Sequence, residues 1–474
     1  MVRPLDFKLD RSAPTPLAEQ IRAAISAAIE NGVLVPGARL PSWLDLATQL
    51  GVARGTVRVA YQSLSAAQLV DASQSTGTRV AARPSVARRS EPTPQLGSFL
   101  QTYREMTAGP AGFQMGVPGP DALPTTLYAR LRAQAVRAEL SAPPLYPDPR
   151  GELAFRREIA ASLALARGIE CSPDQVFVTA GFAGGLGLVL RALPLDGRKA
   201  WMEEPGFPFT RHGLNLAGLT SIPVPVDDEG LRVDDGRRLA PDAALAVVTA
   251  GQQAPLGGTL SLARRLSLLE WADAGQAWII EDDYLSELQL IGRAAPALAS
   301  LDRVGRVVHI GSFSKTLSPA LRLGFVIAPA ALVSRFAEVA ACLAPAPNPS
   351  LQLATTTFMR DGHYMRHLRR TKRVYRERRE ALLAALRPHV ERVETVGLAA
   401  LVPLEEGTPD AALARQALSC GLAPAPLSSW YASPELSRPG LLLGIATAPQ
   451  RTLIKACDEL GALIRRVQVK GQSA

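Results

Sequence analysis

The chain has 474 residues, 47% of them apolar, enough for about three domains of ordinary size with real cores, which excludes a peptide or a disordered tail. Its 52 Lys and Arg against 43 Asp and Glu leave a formal charge of +9, which suits a polyanionic partner without specifying one. The four cysteines, at 171, 342, 420 and 457, are widely separated with no C-x-x-C pair; this argues against a zinc site or a disulfide framework and reads as buried thiols of a cytosolic protein.

The first sixteen residues hold no apolar core for a signal peptide, and no later stretch approaches the roughly 18 apolar residues of a membrane span, so a soluble, cytoplasmic protein is expected. Leu17, Ile21, Ala24, Ile25, Ala28 and Ile29 recur at helical spacing, and Asn31-Gly32 ends that run. Pro41-Ser42 opens a second, short helix with Ser42 as N-cap. Gly51-Val52 turns into a third helix with Val57, Ala60, Tyr61 and Leu64 inward. Arg54, Thr56 and Arg58 lie at its N-terminal end, the part that a recognition helix presents to base edges and phosphates. Two extended runs, Leu69-Val70-Asp71 and Thr78-Arg79-Val80, joined across Ser73-Gln74-Ser75-Thr76-Gly77, read as a β-wing.

Residues 15–81, with Gly37, Leu40-Pro41-Ser42, Leu46-Ala47, Leu50-Gly51-Val52, Arg54, Thr56-Val57, Ala60-Tyr61 and Gly77-Thr78, closely resemble the winged helix-turn-helix of GntR-type transcription regulators. The resemblance implies that Ser42, Arg54, Thr56, Arg58, Gly77 and Thr78 meet DNA. Three positions depart from the family pattern: Leu44 replaces an Arg, Ala53 a capping Ser, and Gly55 an Asn. Loss of the cap costs about 1 kcal/mol. We read 12–82 as the DNA-binding domain, 83–110 as a Pro-, Ser- and Arg-rich linker, and 111–474 as the second domain.

Beyond the linker, apolar runs at Val176–Thr179, Ala246–Thr249, Trp278–Ile280, Val307–Ile310 and Phe325–Ile327 alternate with amphipathic helical stretches. This predicts an α/β domain with a largely parallel sheet. Its chemistry centres on Gly311-Ser312-Phe313-Ser314-Lys315-Thr316, with Arg322 seven residues after the lysine. The chain has only six lysines. An amine flanked by hydroxyls, followed by a guanidinium, is what a phosphorylated aldehyde cofactor requires. A second element, Glu281-Asp282-Asp283-Tyr284, closes an apolar strand at the end where open α/β sheets bind ligands. One carboxylate there can pair with a pyridine nitrogen, and the tyrosine with a phenolic oxygen. Gly181-Phe182-Ala183-Gly184 follows a strand and opens a helix, as phosphate-binding turns do. Phe207 is a candidate stacking ring, and Tyr146-Pro147-Asp148-Pro149-Arg150-Gly151 completes the pattern.

From about 115 onward these strings resemble fold-type I aminotransferases, with a mostly parallel large-domain sheet and a smaller C-terminal α/β subdomain. The order GntR-like module, linker, aminotransferase-like domain is similar to the MocR family, of the GabR-like type. The resemblance implies pyridoxal 5'-phosphate (PLP) as cofactor and Lys315 as its Schiff-base residue. It further implies Asp282 at the pyridine nitrogen, with Asp283 a competitor for that role, and Tyr284 at the phenolic oxygen. Arg322, Ser312, Ser314, Gly181, Phe182 and Ala183 fall near the phosphate, and Phe207 on the ring. It also implies an operator DNA partner, an amine or amino-acid effector, and a homodimer.

Several departures fall where reactivity is decided. Thr249 to Gly257 lacks the family's Pro and His, and Ala254 stands near an expected Asn, with Gln253 as the only substitute. Leu441-Leu442-Leu443-Gly444 replaces the stretch that carries a carboxylate-gripping Arg, and Arg438 is the nearby stand-in. The expected function is therefore a PLP-dependent transcription regulator; the alternatives are an active aminotransferase and a regulator whose large domain has lost PLP and only dimerises. A last feature is a basic run, Arg366, Arg369, Arg370, Lys372, Arg373, Arg376, Arg378 and Arg379, on a helix with Leu368, Val374, Tyr375 and Leu382 inward. It reads as a solvated helix face whose density suggests contact with DNA beside the operator.

Overall fold

A computed structural model describes residues 9–73, 77–82, 97–107, 109, 111–292 and 294–471. The chain divides into two compact units, Met1–Leu96 and Gly97–Ala474.

In the first unit α1 (Leu17–Glu30), α2 (Trp43–Leu50) and α3 (Arg54–Ala66) pack around Ile21, Ile25, Leu46, Val57 and Leu64, all at most 1% exposed. The antiparallel pair β1 (Val70–Ser73) and β2 (Gly77–Val80) forms the wing; residues 74–76 of its expected turn lie outside the described residues. Gly37 to Leu40 adds a third strand-like edge, with Leu40 N–H donating to Thr78 O (2.9 Å) and Val80 N–H to Ala38 O (2.9 Å).

The second unit begins with a helix, α4 (Ser98–Thr107), inside the segment expected to be linker. Phe99 and Tyr103 are four apart, so one helix face carries both aromatics. Phe99 stacks on His212 (3.7 Å between centroids), and Tyr103 lies 5.2 Å from Phe209. Residues 83–96 of that expected linker lie outside the described residues.

The elements that follow are α5 (Thr125–Ser141), α6 (Leu153–Arg167), β3 (Val176–Thr179), α7 (Gly181–Ala192), β4 (Lys199–Glu204), α8 (Pro208–Leu216), β5 (Thr220–Asp227), β6 (Gly230–Leu231), α9 (Val233–Leu239), β7 (Leu245–Val248), α10 (Leu262–Ala274), β8 (Trp278–Asp283), β9 (Val307–Ser312) and β10 (Gly324–Ile327). Their eight-stranded sheet has the order β3-β10-β9-β8-β7-β4-β5-β6. Strands β9, β8, β7, β4 and β5 are parallel, as the alternation predicts, whereas β10 runs antiparallel to both β3 and β9. Strands β3, β7 and β10 are buried throughout, since helices cover both faces of such a sheet.

The chain continues through α11 (Val333–Leu343), α12 (Pro349–Arg360) and the 24-residue α13 (His363–Leu386). It ends in β11 (Glu394–Val396), β12 (Ala399–Pro403), α14 (Asp410–Leu418), β13 (Ala425–Pro426), β14 (Gly440–Gly444) and α15 (Leu453–Gly471). A four-stranded antiparallel sheet, β11-β12-β14-β13, forms the C-terminal part. Of the cysteines only Cys457 is buried; Cys171 is half-buried and Cys342 and Cys420 are exposed, which corrects their reading as buried thiols. Among the described residues no helix is long and apolar enough to cross a membrane, and no cluster of metal-ligating side chains occurs.

Candidate cofactor site and nucleic-acid interface

Parallel strands deliver their carboxyl ends to one edge of a sheet. Here that edge collects Gly181 after β3, Phe207 after β4, Gln253 after β7, Asp282 at the end of β8, and Ser312 to Lys315 after β9. Because β10 runs the opposite way, the residues before it return to the same edge. Gly324 pairs with both Thr179 and Ser312. Arg322, held in the left-handed region (φ 49°), thereby reaches the start of α7: a Cβ on Gly181 would lie 3.8 Å from the Arg322 guanidinium carbon. The crossing needs glycine, since a Cβ on Gly324 would come 2.8 Å from Gly311 O and 3.0 Å from Gly181 Cα. At α7's N-terminus the first N–H groups have no intrahelical acceptor and carry the positive end of the helix dipole. Phe182 packs its ring against the apolar cluster under that helix, so it offers an anion only its backbone. Ser312 Oγ donates to Ser314 Oγ (3.0 Å) and accepts from Ser314 N–H (3.2 Å).

Lys315 Nζ donates to Gly116 O at 2.6 Å. Burial lowers the basicity of this amine, and the Asp282 carboxylate partly restores it. Gly116 belongs to a strap threaded through the C-terminal part. Gly112 N–H donates to Gly421 O (3.0 Å), Gly444 N–H to Phe113 O (2.7 Å) and Thr447 Oγ to Gln114 O (2.7 Å). Gly444 has no room for a side chain, because its Cβ would meet Gln114 O at 2.1 Å. Beneath the lysine loop, Tyr364 OH lies 3.1 Å from Thr316 Oγ and 2.5 Å from Glu287 Oε2, and His367 Nε2 lies 2.5 Å from Thr316 O. These α13 contacts were not read from sequence; their only signal there is a tyrosine and a histidine three apart near the start of an arginine-rich helix.

Alternation along β8 separates its three acids. Glu281 accepts from Leu298 N–H (2.6 Å) and Ala299 N–H (3.0 Å), and lies 3.0 Å from His309 Nδ1. Asp283, on the same strand face, pairs with Arg167 Nε at 2.8 Å, with both side chains at most 7% exposed. Asp282 points the other way. It is 8% exposed, and among the described residues its carboxylate accepts no hydrogen bond; burial, then the charges of Asp283 and Glu203, push its pKa well above the usual carboxylate range. Tyr284, Phe207, Met115 and Leu256 join one apolar cluster with Trp430 and Leu442, and burial raises the Tyr284 phenol.

One expectation is corrected. Gln253 does not face the cleft as a substitute for the missing Asn. It is 2% exposed, and its Nε2 donates to Pro205 O (2.8 Å) and Ala254 O (2.8 Å) while its Oε1 accepts from Leu256 N–H (2.9 Å). The loop carries its own backbone groups, which the glutamine satisfies. Leu441, Leu442 and Leu443 are fully buried, and Arg438 is exposed ahead of β14, near Tyr431.

In the first unit Arg54 and Arg58 are exposed and Thr56 half-buried at the start of α3, which has no side-chain cap at Ala53. Ser42 caps α2 as its position before the helix predicts, its hydroxyl accepting from Asp45 N–H (3.1 Å) and donating to Asp45 Oδ2 (2.6 Å), and its side chain stays exposed. Gly77 adopts φ 78° and Thr78 is half-buried beside it. The wing also aligns two cations that the sequence reading missed: Arg39 pairs across from Arg79, with its guanidine Nε 3.3 Å from where a Gly77 Cβ would sit. The strand-like edge at 37–40 is what brings them together.

Comparison with known proteins accords with both units. Residues 17–80 match the family described as bacterial regulatory proteins, gntR family, and residues 125–435 match aminotransferase class I and II. The chain is 33% identical over 480 residues to the probable rhizopine catabolism regulatory protein MocR of Rhizobium meliloti, covering 98% of this chain and 97% of that one. It is 36% identical over 390 residues to the HTH-type transcriptional regulator TauR of Rhodobacter capsulatus, covering 78% and 79%. A multiple substrate aminotransferase from Thermococcus profundus shares the fold of the second unit, with a TM-score of 0.70 and 23% identity over 79% of this chain and 96% of that one. The chain therefore belongs to the MocR-type HTH transcriptional regulators, in which a GntR-family DNA-binding domain is joined to an aminotransferase-like domain.

Proposed function

We propose that this regulator holds PLP at the sheet edge around Lys315, binds operator DNA through Arg54, Thr56, Arg58 and the wing, and changes its DNA affinity when an amine or amino-acid effector enters the cleft. The observation that carries the reading is the convergence, at one edge, of a lysine amine, a guanidinium at a helix N-terminus and a buried carboxylate that accepts no hydrogen bond among the described residues. An unpaired buried carboxylate is costly, and a cationic ring nitrogen is the partner that relieves it.

The residues fit the cofactor's parts. Arg322, Ser312, Ser314 and the N–H groups at Gly181, Phe182 and Ala183 suit the phosphate; Asp282, rather than Asp283, suits the pyridine nitrogen, because Asp283 is already paired with Arg167. Tyr284 suits the phenolic oxygen, and Phe207, in the same apolar cluster, suits the ring. PLP, when bound, supplies an aldehyde carbon for the lysine amine and a ring that withdraws electrons. Lys315 contributes an amine that burial biases toward the neutral, nucleophilic form. The strap's Gly116 carbonyl accepts a hydrogen bond from that nitrogen at 2.6 Å.

Sensing is favoured over steady transamination because Gln253 is turned inward and buried leucines stand where a carboxylate-binding Arg is expected. A homodimer accords with exposed Leu140, Leu145 and Tyr146, an apolar surface that suits a second copy. An effector that changes the large unit's preferred arrangement must, by linkage, change DNA affinity reciprocally. Borohydride reduction followed by mass spectrometry of cofactor-replete protein tests the reading: a pyridoxyl adduct at Lys315 is expected, and its absence there overturns it.

A further inference from the structure

The surface of α13 carries five exposed arginines, Arg366, Arg369, Arg370, Arg373 and Arg376. Their spacing of three and four residues places them on one stripe, spanning about 15 Å at about 1.5 Å per residue. Among the described residues none of the five lies within 4.0 Å of a carboxylate, a state they share with exposed arginines on other helices such as Arg137, Arg157 and Arg191. Like charges three and four apart destabilise a helix, so five arginines on one stripe carry a cost in helix stability. The other basic residues of the run are otherwise engaged. Arg378 is buried against Asp121 (2.6 Å), Arg379 reaches Glu380, and Lys372 is half-buried near Glu287. The face turns acidic only at Glu377 and Glu380, its C-terminal end.

We infer that this stripe is a second nucleic-acid contact, which binds the phosphate backbone of duplex DNA outside the segment read by the winged helix. The rigid core behind it supports this use. Leu368, Tyr375 and Leu382 are buried on the opposite face, so the stripe is presented on a fixed axis. A duplex carries about one charge per 1.7 Å of its axis, roughly nine over the length of the stripe. No base-reading group accompanies the arginines, so the contact adds affinity and salt dependence without sequence preference. The inference goes beyond the proposed operator reading and needs from it only that the partner is DNA.

The test uses the full-length protein and a random-sequence duplex of about 60 bp, some six helical turns, with affinity measured from about 50 to 200 mM salt. Arg369→Gln/Arg370→Gln/Arg373→Gln is compared with the same three changes to Lys. If all three contacts are lost, the Gln variant flattens the slope of log affinity against log salt by about 2.7 units. Across that salt range this is roughly a fortyfold smaller drop in affinity. The Lys variant keeps the wild-type slope, since a phosphate needs only the point charge. An unchanged slope in the Gln variant assigns the stripe to solvent or to an acidic protein surface and overturns the inference. That outcome is distinct from failure of the winged-helix reading, in which Arg54→Ala leaves operator affinity intact.

Discussion

Asp282 and Asp283 are adjacent, chemically identical and opposite in what their removal does. Asp283→Asn removes one partner of a buried ion pair in which Arg167 is 3% and Asp283 7% exposed. An uncompensated buried guanidinium costs about 3–5 kcal/mol. For a unit of about 380 residues, about 2.1 cal/mol/K per residue gives an unfolding entropy near 0.8 kcal/mol/K, so a loss of about 4 kcal/mol lowers Tm by about 5 °C. Asp282→Asn instead removes a buried carboxylate that has no hydrogen-bond donor and whose ionisation burial already opposes. The cofactor-free protein should keep its Tm or gain slightly. PLP affinity should fall by about 2 kcal/mol, roughly thirtyfold, the value of a hydrogen bond to a charged group. Circular dichroism melts of both cofactor-free variants and absorbance titrations with PLP separate the two. Equal destabilisation by both changes would refute the reasoning, as would a larger PLP defect in folded Asp283→Asn than in Asp282→Asn.

Three further outcomes are expected. Gly324→Ala forces a methyl to 2.8 Å from Gly311 O, so urea titration should show a loss of about 1–3 kcal/mol, with weaker PLP binding because Arg322 is displaced from α7; a neutral substitution would sink the account of the strand crossing. Glu287 is pushed from 4.5 to about 7, chiefly by burial. The native state then holds a proton that the unfolded state lacks between about pH 4.5 and 7, so stability falls as pH rises through that window, by about 3 kcal/mol; Glu287→Gln, which still accepts from Tyr364, should lose that slope between urea titrations near pH 5 and pH 8, and a slope identical to wild type contradicts it. Arg54→Ala should weaken operator binding in gel-shift titrations while leaving borohydride trapping at Lys315 unchanged, and loss of both would contradict a modular protein.

Much of this molecule was legible because its signals are local. A strand needs only neighbouring apolar residues, so Val176–Thr179, Trp278–Ile280 and Val307–Ile310 were readable as strands. The lysine loop with hydroxyls on both sides was readable for the same reason, as were the helix periods of the first unit. Helix α4 was missed because two aromatics four apart give little period by themselves; their partners, Phe209 and His212, lie a hundred residues away.

The one-dimensional pattern determined the module order and the strands whose ends the proposed site occupies. Tertiary structure decided which neighbour does what. It paired Asp283 with Arg167 and left Asp282 without a hydrogen-bond donor, turned Gln253 into its own loop, and returned Arg322 to the start of α7 through an antiparallel β10. The reason is physical: whether a buried polar group is available depends on whether some distant donor or acceptor already satisfies it, and sequence spacing carries no record of that partner.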